Sequence, residues 1–271
     1  MIMRAMSTIG LPEIIAVIGL IPLSIAALRG QLGRPSLFWL LLLIAAIPPV
    51  SLVWQTVHNG WQAGLAATLW VSIAAILVLY AVVTAFNRMA IGLSALLAPY
   101  LLLLAVLATL AQWFARSEAV NLASVPWFAV HILLAVGSYA LLTITAVAAF
   151  AIVLQERAMK RRQQGWASAT LPPVAETEQL QQHLLWAAAV AMGAALATGA
   201  ANEFLETGQF LLMTHKILLS CLAFAVIVIF LILHQATGLR GRLAARWLMA
   251  GYLLLTLAYP GVKFVQDILL S

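Results

Sequence analysis

The sequence predicts an all-α integral membrane protein, and three observations support that class. Hydrophobic residues fill 65% of the 271 positions and charged residues only 8%, whereas charged residues make up about a quarter of a soluble domain. Apolar runs of about 20 residues, each long enough to cross the roughly 30 Å hydrocarbon layer as a helix, recur along the chain. Within them the apolar character is continuous, whereas barrel strands alternate over about ten residues. We therefore expect a bundle of transmembrane helices.

Eight apolar runs are expected to form the spans. In chain order they lie near 11–28, 37–55, 63–85, 92–114, 127–154, 182–200, 213–235 and 245–268. Because eight is an even number, both termini are expected on the same side of the membrane. We treat the chain as one transmembrane domain.

Positive charge predicts which side that is, because cytoplasmic loops retain Lys and Arg. With eight spans, one set of loops holds ten basic residues: Arg29, Arg34, Arg88, Arg157, Lys160, Arg161, Arg162, Arg240, Arg242 and Arg246. The other side holds four: Arg4, Arg116, Lys216 and Lys263. Both termini are therefore predicted outside, in the periplasm. The net charge of +6 reflects this topology and contact with anionic lipid headgroups, and gives no reason to expect a nucleic-acid partner.

The first span is interpreted as a retained helix. Arg4 ahead of an apolar run that ends in small residues is also typical of a secretory signal. Against a signal, Arg29 and Arg34 outweigh Arg4, and Glu13 interrupts the run. The single cysteine, Cys221, lies within a span and has no second cysteine to pair with, so no disulfide framework or CxxC site is expected.

Prolines and small residues within the spans predict how the helices pack. Prolines at 22, 48, 49 and 99 should kink their helices and leave backbone carbonyls for neighbours to satisfy. The small residues of 191–201, AMGAALATGAA, suit a close approach of two helices.

The fifth span carries a polar stripe. His131, Ser138 and Thr145 recur every seven residues, with Tyr139 beside them, and so share one helical face. We expect this face to meet protein or a cavity rather than lipid. It serves either for interhelical hydrogen bonds or for a ligand site.

Residues 155–181 are expected to form a polar cytoplasmic loop between the fifth and sixth spans. The segment changes from basic to acidic and contains the Pro172-Pro173 break. It is read either as a solvated linker whose basic end fixes the topology or as a docking site for a cytoplasmic partner.

Histidines are the main functional candidates, because ionisable groups in or at the edge of a membrane are costly. His58, His131 and His215 lie at outer ends of spans, and His183 and His234 at inner ends. From His215 to His234 the helix rises about 28 Å at 1.5 Å per residue, so these two histidines do not share a ligand.

The outer grouping favours heme among the metal sites. Two imidazoles on facing helices hold a heme iron axially, whereas zinc prefers thiolates or three to four close ligands, which the sequence does not offer. The chain has no GxSxG, Walker loop or HExxH motif. Without a visible acid, base and nucleophile constellation, we do not expect an enzyme.

Three segments resemble a known family. They are 131–157, in which an outer histidine precedes SYALL; 180–203, with its small-residue helix; and 215–265, which contains LH ahead of GLRGR and ends LAYPGVKF. This half of the chain resembles the cytochrome c assembly superfamily, which includes CcsA, CcmC and the HemX-like proteins. The resemblance implies heme handling in the membrane. It also implies that His131 stands at an outer axial-ligand position and His234 at the histidine before the inner basic loop.

Two departures from the family pattern narrow the resemblance. The tryptophan-rich loop that presents heme to apocytochrome c should lie between the sixth and seventh spans, where 201–214 has no tryptophan. The second outer histidine should follow the last span, and the C-terminal segment has none. Both features favour the HemX-like branch, and this resemblance implies that His215 would replace the missing outer ligand.

The sequence therefore predicts a heme-handling accessory protein of the bacterial inner membrane, related to cytochrome c biogenesis. We expect heme b, held by His131 and His215, with Lys216 as a partner for a propionate and His58 as an alternative ligand. His234, with His183, would form a possible inner site. Partners would be heme, the lipid bilayer and proteins of cytochrome c biogenesis or heme synthesis.

Two other functions remain open at this stage. One is a transporter of a small solute or ion, in which Glu13, the polar stripe and the histidines relay protons. The other is a non-catalytic assembly or regulatory factor that contacts a partner through residues 155–181.

Overall fold

The structure is a computed structural model, and it describes residues 10–58, 61–62, 64–112, 119–120, 126–161, 165–208, 215–238 and 241–265. The described part is almost wholly helical. Its helices are α1 (Leu11–Leu28), α2 (Pro35–His58), α3 (Leu65–Phe86), α4 (Ser94–Ala111), α5 (Pro126–Lys160), α6 (Trp166–Thr170), α7 (Val174–Thr207), α8 (His215–Thr237), α9 (Gly241–Thr256) and α10 (Val262–Phe264). A 3-10 helix, Arg88–Leu93, precedes α4, and a π-helical turn, Leu257–Gly261, joins α9 to α10.

Seven helices in the described ranges are long and apolar enough to cross a membrane. They confirm the prediction of an α-helical membrane protein. Each of the seven was expected from the sequence. Some helices are longer than the predicted spans: α7 begins at Val174, eight residues before the predicted start at 182. Intrahelical hydrogen bonds satisfy the backbone of each helix, which is why this geometry suits a lipid environment.

The predicted eighth span, near 245–268, is helical but divided. The helix α9 ends at Thr256, the π-helical turn contains Pro260, and α10 follows. Proline has no backbone N–H and cannot continue the regular i to i−4 ladder, which accounts for the wider turn at this point. Residues 241–264 still follow one helical path.

The two ends of the bundle are distinguished by their connections. At one end the two-residue strands β1 (Trp61–Gln62) and β2 (Ala119–Val120) pair antiparallel and join the α2–α3 and α4–α5 connections. We call this the ladder end. The opposite end, which we call the connector end, contains the 3-10 helix, α6 and the start of α7.

Basic residues gather at the connector end. Those in the described ranges are Arg29, Arg34, Arg88, Arg157, Lys160, Arg161, Arg242 and Arg246. The charge asymmetry expected from sequence is therefore a property of the folded bundle.

Residues 155–181 are mostly helical, in contrast to the loop expected from sequence. The helix α5 continues to Lys160, α6 spans Trp166–Thr170, and α7 begins at Val174. The amide of Gln155 donates hydrogen bonds to the carbonyl oxygens of Leu171 and Pro172, at 2.9 and 3.1 Å. These contacts hold the segment against the bundle, because buried backbone carbonyls require donors.

The core lies between the helices and is closely packed where small residues meet. A Cβ added to Gly19 of α1 would come within 2.9 Å of the Ile44 carbonyl oxygen in α2. A Cβ added to Gly193 of α7 would lie 3.3 Å from Cζ of Phe224 in α8. The small residues of 191–201 thus bring helices close together, as their composition predicts.

Candidate functional site

The imidazole of His131 lies at the ladder end, where the first turns of α5 pack against the last turns of α7. Its Nδ1 is 2.9 Å from the carbonyl oxygen of Ala195. A carbonyl oxygen only accepts hydrogen bonds, so Nδ1 carries the proton and donates. The lone pair of the neutral ring is then on Nε2, the nitrogen that binds a metal when Nδ1 is held in this way.

The small residues of α7 form the surface that receives the ring. A Cβ added to Gly199 would come within 2.8 Å of Cε1 of His131, closer than real Cβ contacts occur. The hydroxyl of Thr198 lies 3.4 Å from Nδ1 and donates to the Ala194 carbonyl oxygen at 2.8 Å. The position of the imidazole is therefore fixed by a backbone carbonyl on one side and by a residue without a side chain on the other.

The rest of the polar stripe on α5 is buried, as predicted. Ser138 and Thr145 are 3% and 0% exposed. Their hydroxyls donate to carbonyl oxygens of their own helix, those of Ala135 and Leu141, each at 2.8 Å. The stripe therefore faces protein, but these two hydroxyls do not form the interhelical bonds that one interpretation of the sequence required.

His58 is the last residue of α2 and also lies at the ladder end. Its side chain is exposed, and its Nδ1 is 3.0 Å from the carbonyl oxygen of Trp54. The rings of Trp54 and His58 are in contact, with centroids 4.1 Å apart and planes tilted by 37°. As in His131, Nδ1 is the donor, which leaves Nε2 as the nitrogen with the lone pair.

His215 is the first residue of α8, at the ladder end. The side chains of His215 and Lys216 lie outside the part of the chain that the structure describes. Their proposed roles as axial ligand and propionate partner remain predictions.

His234 and His183 lie at the connector end but line different cavities. His234, near the end of α8, lines a cavity of about 280 Å³ with Glu178 of α7. His183 lines a second cavity, of about 470 Å³, with Phe86 at the end of α3. The described structure does not bring these two histidines into one cavity, so it offers no support for the joint inner site suggested by the sequence.

Glu13, the candidate for proton relay, lies at the ladder end in the first turn of α1. Its Oε1 accepts a hydrogen bond from Nε2 of Gln112, at 3.1 Å. Its Oε2 is buried and has no hydrogen-bond partner in the described part of the chain. The carboxyl therefore links α1 to α4.

Sequence analysis did not find a cluster of tyrosines at the centre of the bundle. The hydroxyls of Tyr100 in α4 and Tyr252 in α9 are hydrogen-bonded to each other. The hydroxyl of Tyr139 in α5 lies 3.4 Å from that of Tyr252, and their rings stack with centroids 5.9 Å apart. Only Tyr139 was noticed from its place beside the stripe, because no periodic pattern connects residues on three separate helices.

The chain is similar in sequence to known proteins. The family model described as "Cytochrome C assembly protein" matches residues 35–270. The sequence is 44% identical over 261 residues to the Azospirillum brasilense protein named "Uncharacterized 28.8 kDa protein in nifR3-like 5'region", covering 94% of this chain and 96% of that protein. No solved structure shows significant similarity.

A more distant relative is the Escherichia coli K12 protein named "Inner membrane protein YpjD". It is 29% identical over 161 residues, which are 59% of this chain and 60% of that protein. The family match covers most of the chain and includes α2 to α10. It confirms the resemblance that the sequence motifs indicated: the chain belongs to the cytochrome c assembly protein family.

Proposed function

We propose that the protein is a non-catalytic, heme-handling accessory protein of a bacterial inner membrane, related to cytochrome c biogenesis. The observation that carries this proposal is the position of His131 between the Ala195 carbonyl and Gly199. Metal-ligating histidines commonly donate their other ring N–H to a carbonyl or carboxylate, which fixes both tautomer and orientation.

The topology belongs to the same proposal. Eight spans, with residues 241–264 as the last, would place both termini outside. The basic residues at the connector end support a cytoplasmic location for that end. The ladder end, with His131, would then face the periplasm. The name of the E. coli relative, which says that it is an inner membrane protein, supports the choice of membrane.

The proposed cofactor is heme b at the ladder end. His131 would supply one axial ligand and His215, at the head of α8, the other, with His58 as the competing ligand. Lys216 would pair with a heme propionate. Axial ligation asks for only one or two side chains, and the ring of His131 fits that role because its Nδ1 is already committed to a carbonyl. Heme bound there would supply a redox-active iron.

The absence of tryptophan from 201–214 supports placement in the HemX-like branch rather than among proteins that present heme to apocytochrome c. Partners would then be heme and other proteins of cytochrome c biogenesis or heme synthesis. The protein would hold or hand over heme without breaking covalent bonds.

An absorbance spectrum of the purified protein tests the proposal. Full-length protein made in heme-replete cells is expected to show a Soret band, with α and β bands after reduction. His131→Ala together with His215→Ala should remove the band. His183→Ala is the matched control, because that exposed histidine lies at the other end of the bundle.

Two results would overturn the proposal. One is the lack of any Soret band in folded wild-type protein. The other is a band of undiminished intensity in the double variant. The Soret bands of three variants identify the ligand pair. They are the single variants His131→Ala and His215→Ala and the double variant His131→Ala with His58→Ala.

A further inference from the structure

The cavity of about 280 Å³ at the connector end has two chemically different walls. It lies between α5, α7, α8 and α9. The polar wall consists of Glu178, Gln179, Gln181 and Gln182 from α7 and His234 from α8. The apolar wall includes Ile152, Leu185, Phe230 and Leu231. The volume is near the lower end of the roughly 300–1,000 Å³ typical of small-molecule sites.

The polar wall contains a buried group that lacks a protein partner. Gln181 is only 8% exposed, and its carboxamide makes no hydrogen bond in the described part of the chain. A polar group in a largely buried side chain is destabilised when it has no hydrogen-bond partner. Because Gln181 lines the cavity, a molecule in the cavity is the available partner.

The described lining of the cavity carries a net negative charge. Glu178 is half-buried, carries the only carboxylate among the described lining residues, and makes no ion pair there. A second carboxylate lies at the edge, since a Cβ added to the lining residue Gly241 would come within 2.6 Å of Oε1 of Glu156. The described lining contains no Lys or Arg. A partly buried charge without a counterion is costly, so the cavity favours a cation.

The apolar wall selects the rest of the ligand. Apolar side chains such as Ile152 and Leu231 are stabilised when a hydrocarbon group covers them. A hydrated inorganic ion would not remove their apolar surface from water. The ring of Phe230, which is 2% exposed, adds an aromatic surface of the kind that attracts organic ammonium groups. An anionic ligand, such as one bearing carboxylates, would face Glu178, and the described lining residues offer it no Lys or Arg.

We propose that this cavity binds a primary ammonium group carried on an apolar body. Glu178 pairs with the ammonium, the carboxamide oxygens of Gln181 and Gln182 accept its remaining hydrogens, and the apolar wall packs against the body. The ammonium comes either from a free amine or from the headgroup of phosphatidylethanolamine. This site is separate from the one proposed at His131, and it requires no heme.

Three ligands of matched shape test the charge rule on the full-length protein in nanodiscs made of phosphatidylcholine. They are phenethylamine, 2-phenylethanol and phenylacetate, which carry positive, zero and negative charge. Saturable binding of phenethylamine is expected, at least tenfold tighter than binding of the alcohol and tighter still than that of the acid. Equal or tighter binding of the alcohol or the acid overturns the proposal. So does the absence of saturable amine binding, which would mean that the cavity holds water only.

Glu178→Gln tests the residue assignment. The variant should bind phenethylamine at least tenfold more weakly. Glu176→Gln, an exposed residue on the same helix that lines the other cavity, is the matched control and should bind as wild type does. Thermal unfolding checks that both variants are folded. Unchanged amine affinity in folded Glu178→Gln overturns the proposal, whatever its absorbance spectrum shows about heme.

Lipid composition separates the two sources of the ammonium group. If the headgroup is the occupant, nanodiscs containing phosphatidylethanolamine should weaken the apparent affinity for phenethylamine, and native mass spectrometry should find that lipid retained by wild type but lost from Glu178→Gln. If a free amine is the occupant, the affinity should be the same in both lipids. Either result supports the site. Retention of phosphatidylethanolamine that is insensitive to Glu178→Gln, combined with unchanged amine affinity, overturns it.

Discussion

The two ends of the bundle present histidines in opposite chemical settings. At the ladder end, His131 is held by the Ala195 carbonyl and packed against Gly199. At the connector end, His234 and Glu178 line one cavity. The rings of His234 and Phe230 are adjacent, with centroids 5.8 Å apart. In the first setting Nδ1 donates to the carbonyl, so the lone pair lies on Nε2. The second is one part of a larger polar wall.

The neighbours of a histidine, rather than its position at a membrane boundary, indicate its role. Both residues lie near helix ends. The ring of His131 meets a backbone carbonyl and a glycine of another helix. We therefore propose heme as the ligand at the ladder end and an organic cation as the ligand at the connector end.

The largest expected effect is a difference in heme content between variants at the two ends of the bundle. His131→Ala should lower the heme content of the purified protein at least tenfold, because it removes the oriented ring itself. His234→Ala should leave heme content within about twofold of wild type. Heme per protein, measured by pyridine hemochrome, checks both. A larger loss in His234→Ala than in His131→Ala would reverse our assignment of the two ends.

Gly199→Ala should have the next largest effect. The new Cβ would meet Cε1 of His131 at 2.8 Å, so the ring must move from the Ala195 carbonyl. Changes in the groups that orient a metal ligand typically cost about 10- to 100-fold in affinity, and we expect a loss of heme affinity in that range, measured by titration of apoprotein.

Gly193→Ala is the control for Gly199→Ala. Its new Cβ would lie 3.3 Å from Cζ of Phe224, away from the imidazole. It should affect packing between α7 and α8 without changing heme affinity. Equal losses in the two variants would mean that the close packing of α7, and not the position of His131, controls heme binding.

Thr198→Val should have a smaller effect at the same end. The hydroxyl lies 3.4 Å from Nδ1 of His131, which is a long contact, while the Ala195 carbonyl keeps the shorter one. We expect heme affinity to fall about two- to threefold, as one weak hydrogen bond is lost. Resonance Raman or EPR should show the axial ligation unchanged. Loss of histidine ligation would show that Thr198, rather than Ala195, fixes the ring.

The smallest expected effect concerns the tyrosines between the two ends. Tyr252→Phe removes the hydroxyl that contacts both Tyr100 and Tyr139. Interhelical hydrogen bonds in membranes contribute about 0.6 kcal/mol on average, so the free energy of unfolding should fall by about 1 kcal/mol. Heme and amine affinities should not change. Denaturant unfolding in mixed micelles measures the stability.

A double-mutant cycle separates the tyrosine contact from the loss of the hydroxyl itself. Tyr100→Phe and Tyr252→Phe should be non-additive in the free energy of unfolding, because the two hydroxyls bond to each other. Additive effects would mean that the pair contributes nothing beyond the separate residues. A change in heme affinity would mean that the cluster couples to the ladder end.

Much of the fold follows from the sequence alone. Helix positions follow from the length and continuity of the apolar runs, so the first predicted span and α1 share the same bounds. Local motifs, such as the histidine before SYALL, indicate the family, and the match of the family model confirms this family. The close packing of 191–201 follows from residue size. These are properties of neighbouring residues in the chain.

Sequence reasoning was less successful where contacts join distant segments. The polar composition and the Pro172-Pro173 break predicted a loop for residues 155–181. In the structure α7 already begins at Val174, and Glu178 and Gln181 of this helix line a cavity. The part of a helix that lies at the membrane surface tolerates polar residues that would be excluded from the centre of the bilayer. Hydropathy alone therefore underestimates the length of such a helix.

By itself, then, the sequence determined the membrane class, the positions of the helices, the asymmetry of positive charge and the family. Only the tertiary structure decided that the ring of His131 meets Ala195 and Gly199, which lie 64 and 68 residues further along the chain. It also decided that His183 and His234 line separate cavities. The physical reason is that burial in lipid and backbone hydrogen bonding act within each helix, whereas the partner of a side chain depends on which helix faces packed together.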